Sequence, residues 1–204
     1  MIAIVDYDAG NIKSVEKAMI LLGEQVVVTR DKDTILNADG VILPGVGAFG
    51  DAMDKLNSFG LSDVLREVAS KNIPFLGICL GLQLLFESSE ESPEATGLGI
   101  LKGKVCRLPE VGLKIPHIGW NNLKFPNKGR LFNGIEEDSY VYFVHSYYLK
   151  AEDESIVTAT TDYATIIHAS VEQGNVFATQ FHPEKSSDTG LKMLKNFIDI
   201  VNNK

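Results

Sequence analysis

Only two cysteines, Cys79 and Cys106, occur in the 204-residue chain, too few for the disulfide framework that staples small secreted domains. Basic residues are also scarce. Nineteen lysines and arginines stand against 27 aspartates and glutamates, a formal net charge of −8 at pH 7. That balance argues against nucleic acid as a partner, because phosphate binding needs a concentrated basic surface. No stretch approaches the roughly 18 apolar residues of a membrane-crossing helix, and the first residues lack the charged segment of a secretory signal. No spaced set of histidines, cysteines and carboxylates suggests a metal, and no cofactor is expected. Repeats, low-complexity tracts and long linkers are missing as well. The expectation is a cytoplasmic protein that binds neither nucleic acid nor membrane. What is present is 45% hydrophobic residues, enough for one substantial core, and nothing forces residues 1–204 into more than a single domain.

The order of segments implies an α/β fold. Strand-like runs at Ile2 to Tyr7, Gln25 to Thr29, Val41 to Leu43 and Ile73 to Ile78 alternate with helix-like runs at Ile12 to Leu22, Phe49 to Asn57, Ser62 to Lys71 and Leu80 to Glu87. That alternation predicts an open, mostly parallel central sheet flanked by helices. Past residue 100 the pattern becomes β-rich, with strands expected at Lys104 to Leu108, Asn122 to Phe125, Tyr140 to Leu149, Ile156 to Thr161, Thr165 to Val171 and Asn175 to Phe181. An antiparallel addition in the C-terminal half follows, its last two strands joined by a hairpin turn at Glu172-Gln173-Gly174-Asn175. A final helix is expected over Asp188 to Val201, with Ser187 or Asp188 as its cap. The acidic clusters Glu87 to Glu94 and Glu136 to Asp138 read as solvated loop charges.

Gly77-Ile78-Cys79-Leu80-Gly81 is the thiol counterpart of the G-x-S-x-G nucleophile elbow, a strand-to-helix turn that pushes its central side chain into the open. The flanking glycines tolerate strained backbone there. At a helix start and beside an imidazolium, Cys79 would be favoured as thiolate, the species that attacks carbonyl carbon. Far downstream, His182-Pro183-Glu184 offers a base and a carboxylate that orients it, spaced to face one side of an extended segment. Attack on an amide also creates an oxyanion needing positioned N–H donors. The loop Pro44-Gly45-Val46-Gly47 follows a strand, and a Val46 or Gly47 amide pairs naturally with that of Leu80. Cys106 reads as an inert strand residue, and His117 and His168 as structural.

Together these segments resemble the class I (triad) glutamine amidotransferases. Asp8-Ala9-Gly10-Asn11, Pro44-Gly45-Val46-Gly47-Ala48-Phe49, Pro116-His117-Ile118-Gly119-Trp120-Asn121 and His182-Pro183-Glu184-Lys185-Ser186 narrow the similarity to the subfamily of glutaminase subunits of imidazole glycerol phosphate synthase. The resemblance runs from Met1 to about Asn202. It implies an enzyme that hydrolyses L-glutamine through a Cys79, His182 and Glu184 triad, with Gln83, Glu91, Ser146 and Tyr147 holding the substrate. It also implies a heterodimer with a (β/α)₈-barrel cyclase subunit, which uses the ammonia in histidine biosynthesis, and an interface containing Asn11, Trp120 and Lys185. Such subunits rest nearly inactive until the partner reorganises the oxyanion strand, a motion that Gly45 and Gly47 would permit. The residues alone leave other readings open: the glutaminase of another synthase, such as that of the vitamin B6 pathway, a stand-alone thiol hydrolase, or a silent regulatory subunit. Trp120, the single tryptophan, could equally be core.

Overall fold

The structure, a computed structural model, describes residues 1–202. Its first half alternates as expected: β1 (Ile2–Val5), α1 (Ile12–Leu21), β2 (Val26–Thr29), α2 (Lys32–Leu36), β3 (Gly40–Leu43), α3 (Phe49–Ser58), α4 (Leu61–Ser70), β4 (Phe75–Ile78) and α5 (Leu80–Leu84). The second half supplies β5 (Ser88–Ser89), β6 (Gly103–Arg107), β7 (His117–Asn122), β8 (Tyr140–His145), β9 (Tyr147–Ala151), β10 (Val157–Tyr163), β11 (Thr165–Gln173), β12 (Val176–Thr179) and α6 (Ser187–Asn202).

The central sheet has seven strands in the order β10-β11-β12-β4-β3-β1-β2. The five from β12 to β2 are parallel, and β10 and β11 extend the sheet antiparallel. Its inner strands read as continuous apolar runs because both faces are covered. In β1, Ala3 and Val5 face a core shared with Phe49, Leu56 and Leu65 of α3 and α4. Ile2 and Ile4 face the opposite core, with Val15 and Met19 of α1 and Leu194, Phe197 and Val201 of α6. The period-2 alternation of a strand thus feeds two helical layers at once. No described helix is long and apolar enough to cross a membrane.

The most consequential connection is the last one. The two-residue Gly174-Asn175 turn, with Gly174 at φ 59°, returns the chain so that β12 lies parallel to β4, Thr179 opposite Ile78. The Cys79 amide continues this ladder to the Thr179 carbonyl at 2.7 Å. Strand ends separated by a hundred residues therefore terminate side by side, where open α/β sheets place their ligands.

Several boundaries differ from those expected. The helix after the elbow ends at Leu84 rather than Glu87, because Leu98, Gly99 and Ile100 donate to the Leu84, Phe86 and Leu85 carbonyls and draw that backbone into a loop. The run Tyr140 to Leu149 is two strands, not one. It breaks at Ser146, whose carbonyl accepts from Leu108, so β8 pairs with β7 while β9 pairs with β6. The strand expected at Asn122 to Phe125 lies earlier, at His117–Asn122, leaving Lys124 only an isolated bridge to Thr160. The last helix starts at Ser187, with Ser186 bent back so that its hydroxyl donates to the His182 carbonyl. Helix α2 and the two-residue β5 carry too short an apolar pattern to stand out in the sequence.

Candidate active site

Cys79 sits at φ 56° and ψ −107°, a conformation that L-residues rarely adopt. Strain of that kind costs on the order of 1–3 kcal/mol and persists only where the surroundings impose it. The elbow glycines serve differently from the expectation: neither is at positive φ, and both allow close approach. A side chain on Gly81 would run into the Leu43 carbonyl, and one on Gly77 would lie 2.8 Å from the Gly81 oxygen. Strand β3, the elbow and α5 are thus pressed together by two missing Cβ atoms, and the strain falls on the cysteine between them.

His182 and Glu184 are brought together as expected, although by another backbone. Pro183–Lys185 forms a 3-10 turn rather than an extended segment, and this turn sets Glu184 Oε1 2.7 Å from His182 Nδ1. Both side chains are fully buried. Burial opposes the imidazolium, but Cys79 and Glu184, through hydrogen bonding and charge, outweigh it and raise His182 from the usual 6.5 to about 9. His182 Nε2 and Glu184 Oε2 are buried with no aligned hydrogen bond. Asn11, expected near a partner surface, also reaches this pair. Its Nδ2 donates to Glu184 Oε1 at 2.6 Å and lies 3.3 Å from His182 Nδ1. Although Asn11 opens α1, its side chain makes no capping bond there.

The oxyanion donors are not presented in this arrangement. Leu80 N–H donates to the Gly45 carbonyl at 3.3 Å, so the expected pairing of its amide with one from Val46 or Gly47 is unformed. Gly45 is wedged against the Tyr7 hydroxyl and Leu80, and Tyr7 Oη–H donates to the Pro44 carbonyl at 2.9 Å. Gly47, by contrast, stands at φ 114° with open space where a side chain would project.

A cavity of about 330 Å³ opens over the cysteine. Val46, Gly47, Cys79, Leu80, Gln83, Glu91, Ser146 and Tyr147 all line it, so the structure gathers every residue expected to touch substrate or oxyanion. A larger hollow of about 670 Å³, between β9, β10 and β11, contains none of them and no cysteine, which places the candidate site in the smaller one. Two lining residues are already engaged. Glu91 Oε2 accepts from Phe49 N–H at 2.8 Å, filling the start of α3 where Ala48 offers no cap. Gln83 Nε2 donates to the Tyr147 carbonyl and to Gln180 Oε1, both at 3.1 Å. Lys185 is exposed, and Trp120 is 53% exposed with an edge contact to Tyr142 rather than a place in the core.

Sequence reasoning missed Gln180, fully buried, whose Nε2 lies 3.8 Å from Cys79 Sγ. A polar residue inside the apolar run Val176 to Phe181 was its signal. His117 is stacked between Tyr163, at 3.9 Å, and Phe143, at 4.8 Å, and its Nδ1 lies 3.0 Å from His145 Nε2. Burial lowers His117 to about 4 and, with opposition only from a bond to the Tyr147 backbone, lowers His145 to about 3, so the pair is neutral near pH 7. His168 accepts from Ala151 N–H, a structural role as expected. Cys106 is buried in β6, and burial chiefly, then Glu90, pushes its thiol up, in keeping with inertness. No metal-binding group of three or more such side chains is present among the described residues.

The glutamine amidotransferase class-I family profile matches residues 3–201. The chain is 54% identical over 200 residues to the imidazole glycerol phosphate synthase subunit HisH of Moorella thermoacetica, covering 98% of this chain and 95% of that one. With the HisH subunit of Aquifex aeolicus the identity is 53% over 195 residues, covering 95% and 94%. Among solved structures, a glutamine amidotransferase superposes with a TM-score of 0.77 at 20% identity over 98% of both chains. A chain of PurLQS from Thermotoga maritima gives 0.74 at 21%, again over 98% of both chains. At those identities the structures speak to the fold.

Proposed function

Since the chain belongs to the class I glutamine amidotransferase family, we propose that it is the glutaminase subunit of imidazole glycerol phosphate synthase, a single-domain cytoplasmic protein of histidine biosynthesis. The observation that carries this reading is the meeting of Cys79, on a strained elbow, with a buried His182–Glu184 pair that stays protonated on the imidazole. Cys79 Sγ attacks the side-chain amide carbon of glutamine, and the carbonyl π-electrons move to oxygen. When the tetrahedral adduct collapses, the C–N bond breaks and His182 gives its proton to the departing nitrogen, which leaves as ammonia. The resulting glutamyl thioester is opened by water, from which His182 takes a proton, and collapse of the adduct releases glutamate and returns Cys79 as thiolate beside the imidazolium. Glu184 and Asn11 hold the imidazole in place throughout.

Ammonia is useful to a synthase only while unprotonated and confined, so the reading includes a cyclase partner. Ile118, Trp120 and Tyr140 form an exposed apolar face on β7 and β8, which supports a docking surface there, with Lys185 also exposed. The Gly45 carbonyl on Leu80 N–H supports a resting state in which the oxyanion site stays closed until the Gly45–Gly47 loop moves. Val46 or Gly47 would then supply the second donor beside Leu80. Gln83, Glu91, Ser146 and Tyr147 line the pocket that would take glutamine.

The test is glutamate release from glutamine by the purified chain, alone and with a cyclase subunit plus its ribonucleotide ligand. Strong stimulation that disappears in Cys79→Ala is expected. Equal turnover with and without the cyclase would instead point to an independent thiol hydrolase.

A further inference from the structure

Beneath the nucleophile lie two buried amides, Gln180 at 0% exposure, which the reaction above does not use, and Gln83 at 5%, which also lines the pocket. Their orientations are not free. A backbone carbonyl only accepts, so the contact with Tyr147 O identifies the end of Gln83 beside it as nitrogen. The same nitrogen donates to Gln180, which must therefore present its oxygen to Gln83 and its nitrogen to Cys79. Turned the other way, Gln180 would set one NH₂ group against another.

The anchor of this chain is fixed in turn. The Tyr147 carbonyl also accepts from His145 Nδ1 at 2.9 Å, which leaves the neutral His145 with its lone pair on Nε2. Nε2 faces His117 Nδ1, so His117 supplies the proton in that contact, with its ring clamped between Phe143 and Tyr163. Every donor from His117 to the sulfur is thereby directed by its neighbour. Among the described residues, Cys79 Sγ is the partner that Gln180 Nε2 has.

We propose that Gln180 is a further catalytic residue, whose amide N–H joins the His182 imidazolium in holding the Cys79 sulfur as thiolate, with Gln83 and His145 as positioning residues. A neutral thiol is a weak acceptor, whereas a charged acceptor forms a markedly stronger hydrogen bond. A buried N–H facing sulfur gains most when that sulfur is ionised, so its contribution is differential. A filler role would be met better by leucine or methionine, which would bury no polar amide. The proposal rests on the reading of Cys79 as nucleophile.

Alkylation by iodoacetamide tests it on the full chain without partner or glutamine. Modification of Cys79 and Cys106 is followed by peptide mass spectrometry from about pH 6 to about pH 9.5, with Cys106, buried to a similar degree at 8% against 6%, as internal reference. Gln180→Met should slow Cys79 alkylation about tenfold near pH 7, the gap closing towards about pH 9.5, with Cys106 unchanged. Gln83→Met should slow it several-fold, although a residue that only grips glutamine would have no effect in its absence. An unchanged Cys79 rate in folded Gln180→Met overturns the proposal. Should that variant not fold, Gln180→Leu removes the donor at similar volume, and an unchanged rate there overturns it equally. Wild-type Cys79 reacting no faster than Cys106 would sink the nucleophile reading together with it, whereas a fast wild-type Cys79 indifferent to Gln180 sinks the proposal alone.

Discussion

Cys79 combines a strained backbone, a buried imidazole and an amide below it, so its chemistry depends on the atoms held around it as much as on its sulfur. Replacing it with alanine should lower glutamate release by at least about 10³-fold while leaving the melting temperature close to that of wild type, or slightly higher as strain is relieved. His182 offers a test through linkage. Its value is raised from 6.5 to about 9, so between those limits the folded protein binds more protons than the unfolded chain. The stabilisation this provides is complete below about pH 6.5 and is lost as pH rises through about 9. Urea denaturation of wild type and Glu184→Gln should accordingly show the widest gap in stability near pH 6 and a narrowing one towards about pH 9.5. Gaps equal at both ends would mean that Glu184 does not support the imidazolium.

At the scale of elements, the site depends on how closely β3, β4 and α5 approach. Gly81→Ala drives a methyl into the Leu43 carbonyl, and a loss of about 2–4 kcal/mol in denaturant stability is expected, along with loss of activity. The opposite layer is held by α6, where Phe197 packs edge-on against Phe177 of β12 at 6.0 Å. Phe197→Ala should cost about 3–5 kcal/mol. Helix α6 and the parallel strands were legible because apolar spacing is a local property. The 3-10 turn under Glu184 was not, since its shape is set by the chain's need to leave β12 and enter α6 within a few residues. Nor was the break at Ser146: β8 and β9 both read as strand, and their different pairing partners separate them.

For the whole molecule, the proposed docking face makes a separable prediction. Trp120 is half exposed, with its ring edge-on to Tyr142, so Trp120→Ala should leave the melting temperature within a few degrees of wild type. If the face binds the cyclase, the same change should weaken the complex about 30-fold or more by calorimetric titration, the scale of an aromatic hot spot. A large thermal loss with unaltered affinity would return Trp120 to a structural role.

The sequence by itself determined the alternating α/β order and the elbow, and offered Cys79 as the candidate nucleophile and His182 with Glu184 as its candidate base and orienter, because each is written in neighbouring residues whose chemistry needs no distant partner. Tertiary structure alone decided that β12 lies beside β4, and so that the segment leading to His182 ends next to the strand that carries Cys79, a hundred residues away in the chain. It also decided that Asn11 serves Glu184 rather than its own helix, that Gly45 closes the Leu80 donor, and that Gln180 comes to lie under the sulfur. Hydrogen bonds between remote side chains leave no periodic trace in a chain. They exist only once the sheet has set the strand ends next to one another.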